Sequence, residues 1–118
     1  MSRRTERVGE MIREDVSALL LREIKDPAVG FVTVTDVDVT PDLSHAKVFV
    51  SVMGTPEERE RSLDALNRAR GFMRSELGKR AHLRTVPELV FRHDEASEKG
   101  NRIFELLEEM KRQETNDA

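Results

Sequence analysis

Apolar residues recur at helical spacing along the first part of the chain. Between Val8 and Ile24 they return every three or four positions, with Arg, Glu and Asp between them. This spacing predicts a long amphipathic helix over about residues 3–25. Pro27 and Gly30 follow, and they are expected to end the helix.

The next segments alternate as β-strands do. Phe31–Val39 is rich in β-branched residues, but its apolar positions shift from even to odd numbers near Thr35, which predicts a bulge or a strong twist. A turn over residues 41–44 precedes Ala46–Val52, so the two strands are expected to pair as an antiparallel, hairpin-like unit. A third, short strand is predicted over Val86–Phe91.

Two helices joined by a break are predicted between the second and third strands. Thr55 stands where a helix N-cap is expected. The apolar positions beyond Gly71 are out of phase with those before it, and a break would reset the phase. Ala69 and Gly71 are therefore the candidates for a structural kink. Gly78 is expected to cap the second helix of the pair.

The order of these elements predicts the fold class. A last helix is expected over about residues 95–111, and residues 113–118 are expected to fray. The order α-β-β-α-kink-α-β plus this C-terminal helix predicts an α+β protein, with helices on one face of a three-stranded mixed sheet. This is the type II KH topology. The length favours a single domain, and the topology makes a KH-like RNA-binding domain over residues 1–112 the expectation.

Positive charge is concentrated around the predicted break. From Arg68 to Arg84 the chain has six Lys/Arg and one acid, a local charge of +5 in a protein of net charge −3. Such a local excess suits phosphate, although an ordinary solvated helix face is the alternative. The candidate RNA-binding residues are Arg68, Arg70, Gly71, Arg74, Lys79, Arg80 and Arg84. The basic residues of the first helix alternate with acids, which favours a solvated face there.

Composition argues against several kinds of chemistry. The absence of Cys excludes disulfides and thiolate zinc sites. The three histidines are scattered, and Asp36, Asp38 and Asp42 lack the glycine and the distal glutamate of a calcium loop. No nucleotide-binding or nucleophile motif is present. We therefore expect no catalytic residues, no metal and no cofactor, and hence a protein that is not an enzyme.

The longest apolar run and the aromatic content bear on location and partners. Ala18–Leu21 is too short to span a bilayer, and the N-terminus leads into no apolar segment, so a cytoplasmic protein is expected. With no Trp, no Tyr and five Phe, few side chains are available for base stacking. Bound nucleic acid is expected to be held by its backbone and shape.

Four blocks of sequence carry a family resemblance. They are Arg22–Pro27, Asp42–Val50, Gly71–Lys79 and Leu83–Phe91. Together with Ala69-Arg70-Gly71, which stands in place of the Gly-x-x-Gly loop of KH domains, they resemble bacterial ribosome-binding factor A. The resemblance implies that the chain binds the small ribosomal subunit through ribosomal RNA and assists its late maturation, including rRNA processing, with importance in the cold.

The residues by themselves leave a second function open. A protein-interaction adaptor would use the same basic helix-kink-helix against an acidic partner. No helix-turn-helix spacing or basic arm indicates a DNA reader, so no DNA is expected. No membrane partner is expected either, and the free protein is expected to be a monomer.

Overall fold

The order of helices and strands follows the sequence prediction. The computed structural model describes residues 3–22, 29–80, 85–95 and 109–112. Its elements are α1 Arg3–Arg22, β1 Val32–Val39, β2 His45–Val52, α2 Pro56–Arg68, α3 Arg70–Arg80 and β3 Glu88–His93. The α+β class and the α-β-β-α-α-β order are confirmed. Residues 109–112 are helical. Most of the predicted C-terminal helix and the whole 113–118 tail lie outside the described residues.

The strands form one mixed sheet in the order β1-β2-β3. β1 is antiparallel to β2, and β3 is parallel to β2. The pairing of β1 with β2 shifts between Val34 and Asp36, which confirms the irregularity predicted near Thr35. The extra residue brings Val37 and Val39 back to the same face as Val34. The even-numbered apolar positions before the bulge and the odd-numbered ones after it therefore face the same core.

The core lies between the helices and one face of the sheet. Ile12, Val16 and Leu19 of α1 are fully buried against it. Further fully buried core side chains come from β2, α2, α3 and β3 and include Val48, Val50, Leu66, Met73, Leu77 and Leu89. Burial of each such side chain contributes roughly 1.5–3 kcal/mol. The core therefore fixes α2 and α3 on the sheet and determines which of their residues remain at the surface.

Thr55 caps the N-terminus of α2 as its sequence position predicts. The backbone N–H of Glu58 donates to Thr55 Oγ1 over 3.2 Å, and the Thr55 hydroxyl donates to Glu58 Oε1 over 3.2 Å. Pro56 occupies the first helical turn, where its missing N–H costs nothing. The start of α2 is thus determined locally by three residues.

Asp42 organises the turn between β1 and β2. Its Oδ1 accepts hydrogen bonds from the hydroxyls of Ser44 and Thr40, each over 2.7 Å, and from the Ser44 N–H over 3.1 Å. Within this turn Leu43 has φ 60°, a left-handed conformation that few non-glycine residues adopt. The hydrogen bonds from Ser44 and Thr40 lower the pKa of Asp42 to about 2.

Asp42→Asn is expected to destabilise the protein at pH 7 and to lose that effect in acid. Because the pKa of Asp42 in the folded protein lies below its ordinary value of 3.8, the carboxylate stabilises the fold above about pH 4, and this contribution is lost as the pH falls through 2. Urea midpoints of the two proteins from pH 7 down to pH 2 measure the difference. A gap that stays constant over this range would contradict the assignment.

Candidate nucleic-acid interface

The break between α2 and α3 lies at Ala69. This residue has φ −86° and ψ −1°, and its N–H is shared between the carbonyl oxygens of Ala65 and Leu66 at 3.1 Å each. The Met73 N–H donates to Ala69 O over 3.0 Å. The helical path therefore resumes at once, and no loop separates α2 from α3.

Gly71 and Gly78 differ from the roles that the sequence favours. Gly71 lies in the first turn of α3, its φ is not positive, and a Cβ there would meet no described atom within 4 Å. Gly78 lies inside α3, which continues to Arg80, so the prediction of a C-cap at Gly78 is wrong. A Cβ on Gly78 would lie 3.3 Å from Val86 Cγ2, so a small residue suits this contact with the loop before β3.

Gly71→Ala is expected to stabilise the protein by up to about 1 kcal/mol, because alanine is the better helix former and the site has room for a methyl group. Gly54→Ala is the control. Gly54 has φ 137°, so an added Cβ is strained there and the variant is expected to be less stable than wild type. Urea unfolding measures both changes. A destabilised Gly71→Ala protein would contradict the open geometry at this position.

The cationic residues lie at the surface on both sides of the break. Arg68 is the last residue of α2, Arg70 is the first of α3, and Lys79 and Arg80 lie in the last turn of α3. All four are exposed. Arg84 lies outside the described residues. The structure thus places four of the predicted cations in two pairs, one pair at the break and the other in the last turn of α3.

A shallow depression opens beside the break. It is lined by Asp64, Asn67, Arg68, Arg70 and Gly71. The Arg70 side chain makes no hydrogen bond or ion pair with any described residue, so its guanidinium is available to an external acceptor. Gly71 leaves this surface without a side chain, which lets a ligand approach the helix backbone closely.

Arg74 and Asn67 fasten the helix pair to β3 and the loop before it. Arg74 Nε and Nη2 donate to the Val86 carbonyl over 3.2 and 3.1 Å, and Arg74 Nη1 lies 3.8 Å from Glu88 Oε1. Asn67 Nδ2 donates to Phe91 O over 3.3 Å, while Asn67 Oδ1 accepts from Phe91 N over 3.0 Å. The two contacts lie on opposite sides of the break and hold both helices at a fixed position on the sheet.

Comparison with known proteins identifies the family. A family model described as Ribosome-binding factor A matches residues 4–107. The chain belongs to the ribosome-binding factor A family. A ribosome-binding factor A of Natranaerobius thermophilus is 53% identical over 113 residues, which make up 96% of this chain and 86% of that protein.

Structures of ribosome-binding factor A share this fold. The crystal structure of the Thermus thermophilus protein has a TM-score of 0.56 and 27% identity, and the match covers 75% of this chain and 90% of that one. A homology model of the same relative, fitted into a cryo-electron microscopy map of its 30S complex, has a TM-score of 0.59 and 26% identity over 82% of this chain and 98% of that one.

A second concave surface in this member of the ribosome-binding factor A family lies between α2 and β3. Its cavity has a volume of about 750 Å³. Its charged side chains are Arg59, Arg92, Glu60, Asp64, Asp94 and Glu95. The acids outnumber the arginines, so this groove is a poorer phosphate site than the surface around the break. At the edge of this groove, the N–H and C=O of Phe91 are already hydrogen-bonded to Asn67.

Within the described ranges, two other kinds of site are not found. No helix there has the length and apolar character needed to cross a membrane. No three His, Asp or Glu side chains in the same ranges are grouped to hold a metal ion.

Sequence reasoning missed Asn67. Asparagine is a poor helix former, and its side chain competes for backbone hydrogen bonds. Its position in the last turn of a predicted helix, between Leu66 and Arg68, was the available signal. The partner, Phe91, lies 24 positions along the chain and is not indicated by any local pattern.

Proposed function

We propose that this chain binds the small ribosomal subunit through its ribosomal RNA and assists late maturation of the subunit, including rRNA processing. We propose also that this assistance supports growth in the cold. The observation that carries the proposal is the exposed cationic surface around Ala69 in a chain whose family is named for ribosome binding. The proposed role is binding, without catalysis. It is exerted in the cytoplasm by a protein that is a monomer when free.

The cations have different roles according to their position on α2 and α3. Arg68 and Arg70 flank the depression beside the break, where they bind phosphate oxygens and Gly71 admits the RNA backbone. Lys79 and Arg80 extend the positive surface by the length of α3. Arg84 is proposed as a further phosphate contact. Arg74 adds positive charge, but the contacts of its guanidinium with Val86 and Glu88 assign it chiefly to holding the site together.

Binding to small subunits is expected to weaken steeply with salt. If about four to six phosphates are neutralised, the slope of log K against log salt concentration lies near −3 to −5, because each contact releases condensed counterions. Titrations of labelled protein with purified small subunits at several KCl concentrations measure the slope. A slope near zero would contradict the electrostatic account.

An acidic protein partner would also give a salt-dependent complex, so a second arm separates the two functions. Small-subunit ribosomal RNA freed of protein is expected to compete with the intact subunit for the labelled chain. Competition only by the protein fraction of the subunit would favour an adaptor and would contradict RNA binding.

A further inference from the structure

Phe72 is an exposed aromatic side chain inside the basic segment. It is 47% exposed, whereas its neighbour Met73 and the next core position of α3, Leu77, are 0% exposed. It directly follows Gly71 and is two positions from Arg70. Among the described residues, Phe72 belongs neither to the buried core nor to the partly buried hydrophobic side chains packed against it.

The surroundings of Phe72 on α3 suit a nucleotide. Positions three, four and seven residues further along a helix share its face, and these are Ser75, Glu76 and Lys79. Ser75 and Lys79 are exposed, and Lys79 Nζ lies 3.3 Å from Glu76 Oε1. An apolar ring beside a cation matches the two parts of a nucleotide, because the base stacks on an aromatic face and the phosphate pairs with positive charge.

We propose that Phe72 stacks on an unpaired base of the RNA that the neighbouring cations hold by its phosphates. This inference rests on the proposed function and deepens it by naming the class of RNA feature, an unstacked or bulged nucleotide beside a phosphate backbone. The charge selects the occupant, since the 68–84 segment of the sequence carries +5 and so favours a polyanion near the ring. Stacking tolerates any base, so the contact adds affinity with little sequence preference.

A second exposed phenylalanine provides a matched control. Phe31 is 84% exposed, more than Phe72, but it lies just before β1. Residues 26–67, which surround it in the sequence, carry a net charge of −5. Loss of the Phe31 ring therefore tests what the removal of an exposed aromatic does outside the cationic surface.

The affinity experiment compares Phe72→Ala and Phe31→Ala in titrations with purified small subunits. Phe72→Ala is expected to bind about 5-fold or more weakly, with an unchanged salt slope because the stacked ring is uncharged. Phe31→Ala is expected to bind like wild type. Equal affinities of wild type and Phe72→Ala, or equal losses in the two variants, would overturn the assignment.

A spectroscopic experiment tests the contact directly. The chain has no Trp and no Tyr, so a Phe72→Trp variant has a single indole. When that tryptophan is incorporated as 5-hydroxytryptophan, it can be excited at wavelengths that the tryptophans of ribosomal proteins do not absorb. Bound subunits are expected to shield this indole from acrylamide several-fold. An indole that stays as accessible as in the free protein, in a complex that still forms, would overturn the stacking contact alone. Failure of wild type to bind subunits would overturn the proposed function as well.

Discussion

Arg70→Glu combined with Lys79→Glu is expected to abolish binding of small subunits at physiological salt. The double reversal lowers the charge of the 68–84 segment from +5 to +1 and removes its attraction for phosphate at both ends of α3. Both side chains are exposed, and Lys79→Glu removes only an exposed ion pair with Glu76, so the free energy of unfolding is expected to fall by no more than about 1 kcal/mol. Subunit titration and urea unfolding measure the two quantities.

The control for this prediction carries the same change in net charge on α1. Arg7→Glu combined with Arg22→Glu alters two exposed arginines that alternate with acids in the sequence, and it is expected to leave subunit binding close to wild type apart from a weak long-range effect. If both double variants lose binding equally, the affinity for subunits depends on the net charge of the protein, and the surface around the break is not the binding site.

Asn67→Ala combined with Arg74→Ala is expected to destabilise the protein by roughly 2–5 kcal/mol. Asn67→Ala leaves the N–H and C=O of Phe91 without their partners, and each lost contact of this kind costs about 1–3 kcal/mol. Arg74→Ala frees the carbonyl of Val86, a partly exposed group, and so contributes the smaller share. Urea midpoints with unchanged m-values measure the loss.

Two single variants separate the roles of charge and contact in this second prediction. Arg74→Lys keeps the charge but lacks the planar fork that donates twice to Val86, so it is expected to lose stability while retaining electrostatic attraction for RNA. Arg70→Ala removes a side chain without a described partner and is expected to change stability by less than about 0.5 kcal/mol. Equal stability of Arg74→Lys and wild type would contradict the fastening role of Arg74.

The sequence predicts this fold well where the signal is local. The change of apolar parity near Thr35 predicts the register shift between Val34 and Asp36. Thr55 is recognised as an N-cap because capping depends on a few neighbouring residues. Such features need no knowledge of distant segments.

The sequence predicts the break and its attachments less well. A change of helical phase locates a break only to within a few residues. The sequence therefore favours Gly71, whereas the helix breaks at Ala69. Gly78 resembles a C-cap in sequence, yet its small size is explained by Val86, which approaches from another segment. The exposure of Phe72 likewise depends on Met73 and Leu77 filling the core, which the tertiary fold decides.

Arg74 illustrates why a charge pattern does not assign roles to single residues. In the sequence it is one of six cations with equal claims to phosphate. In the fold its guanidinium reaches Val86, 12 positions away, because α3 and the loop before β3 lie side by side. The pattern predicts the surface, and the packing decides which cations hold the surface in place.

Co-sedimentation with purified ribosomal subunits tests the central claim most directly. Wild-type protein is mixed separately with small and large subunits and centrifuged through sucrose, next to Arg70→Glu/Lys79→Glu and the α1 control variant. We expect wild type and the control to sediment with small subunits and not with large ones, and the α3 variant to stay at the top of the gradient. Wild-type protein that stays at the top, or an α3 variant that sediments with small subunits like wild type, would contradict binding through the cationic surface around Ala69.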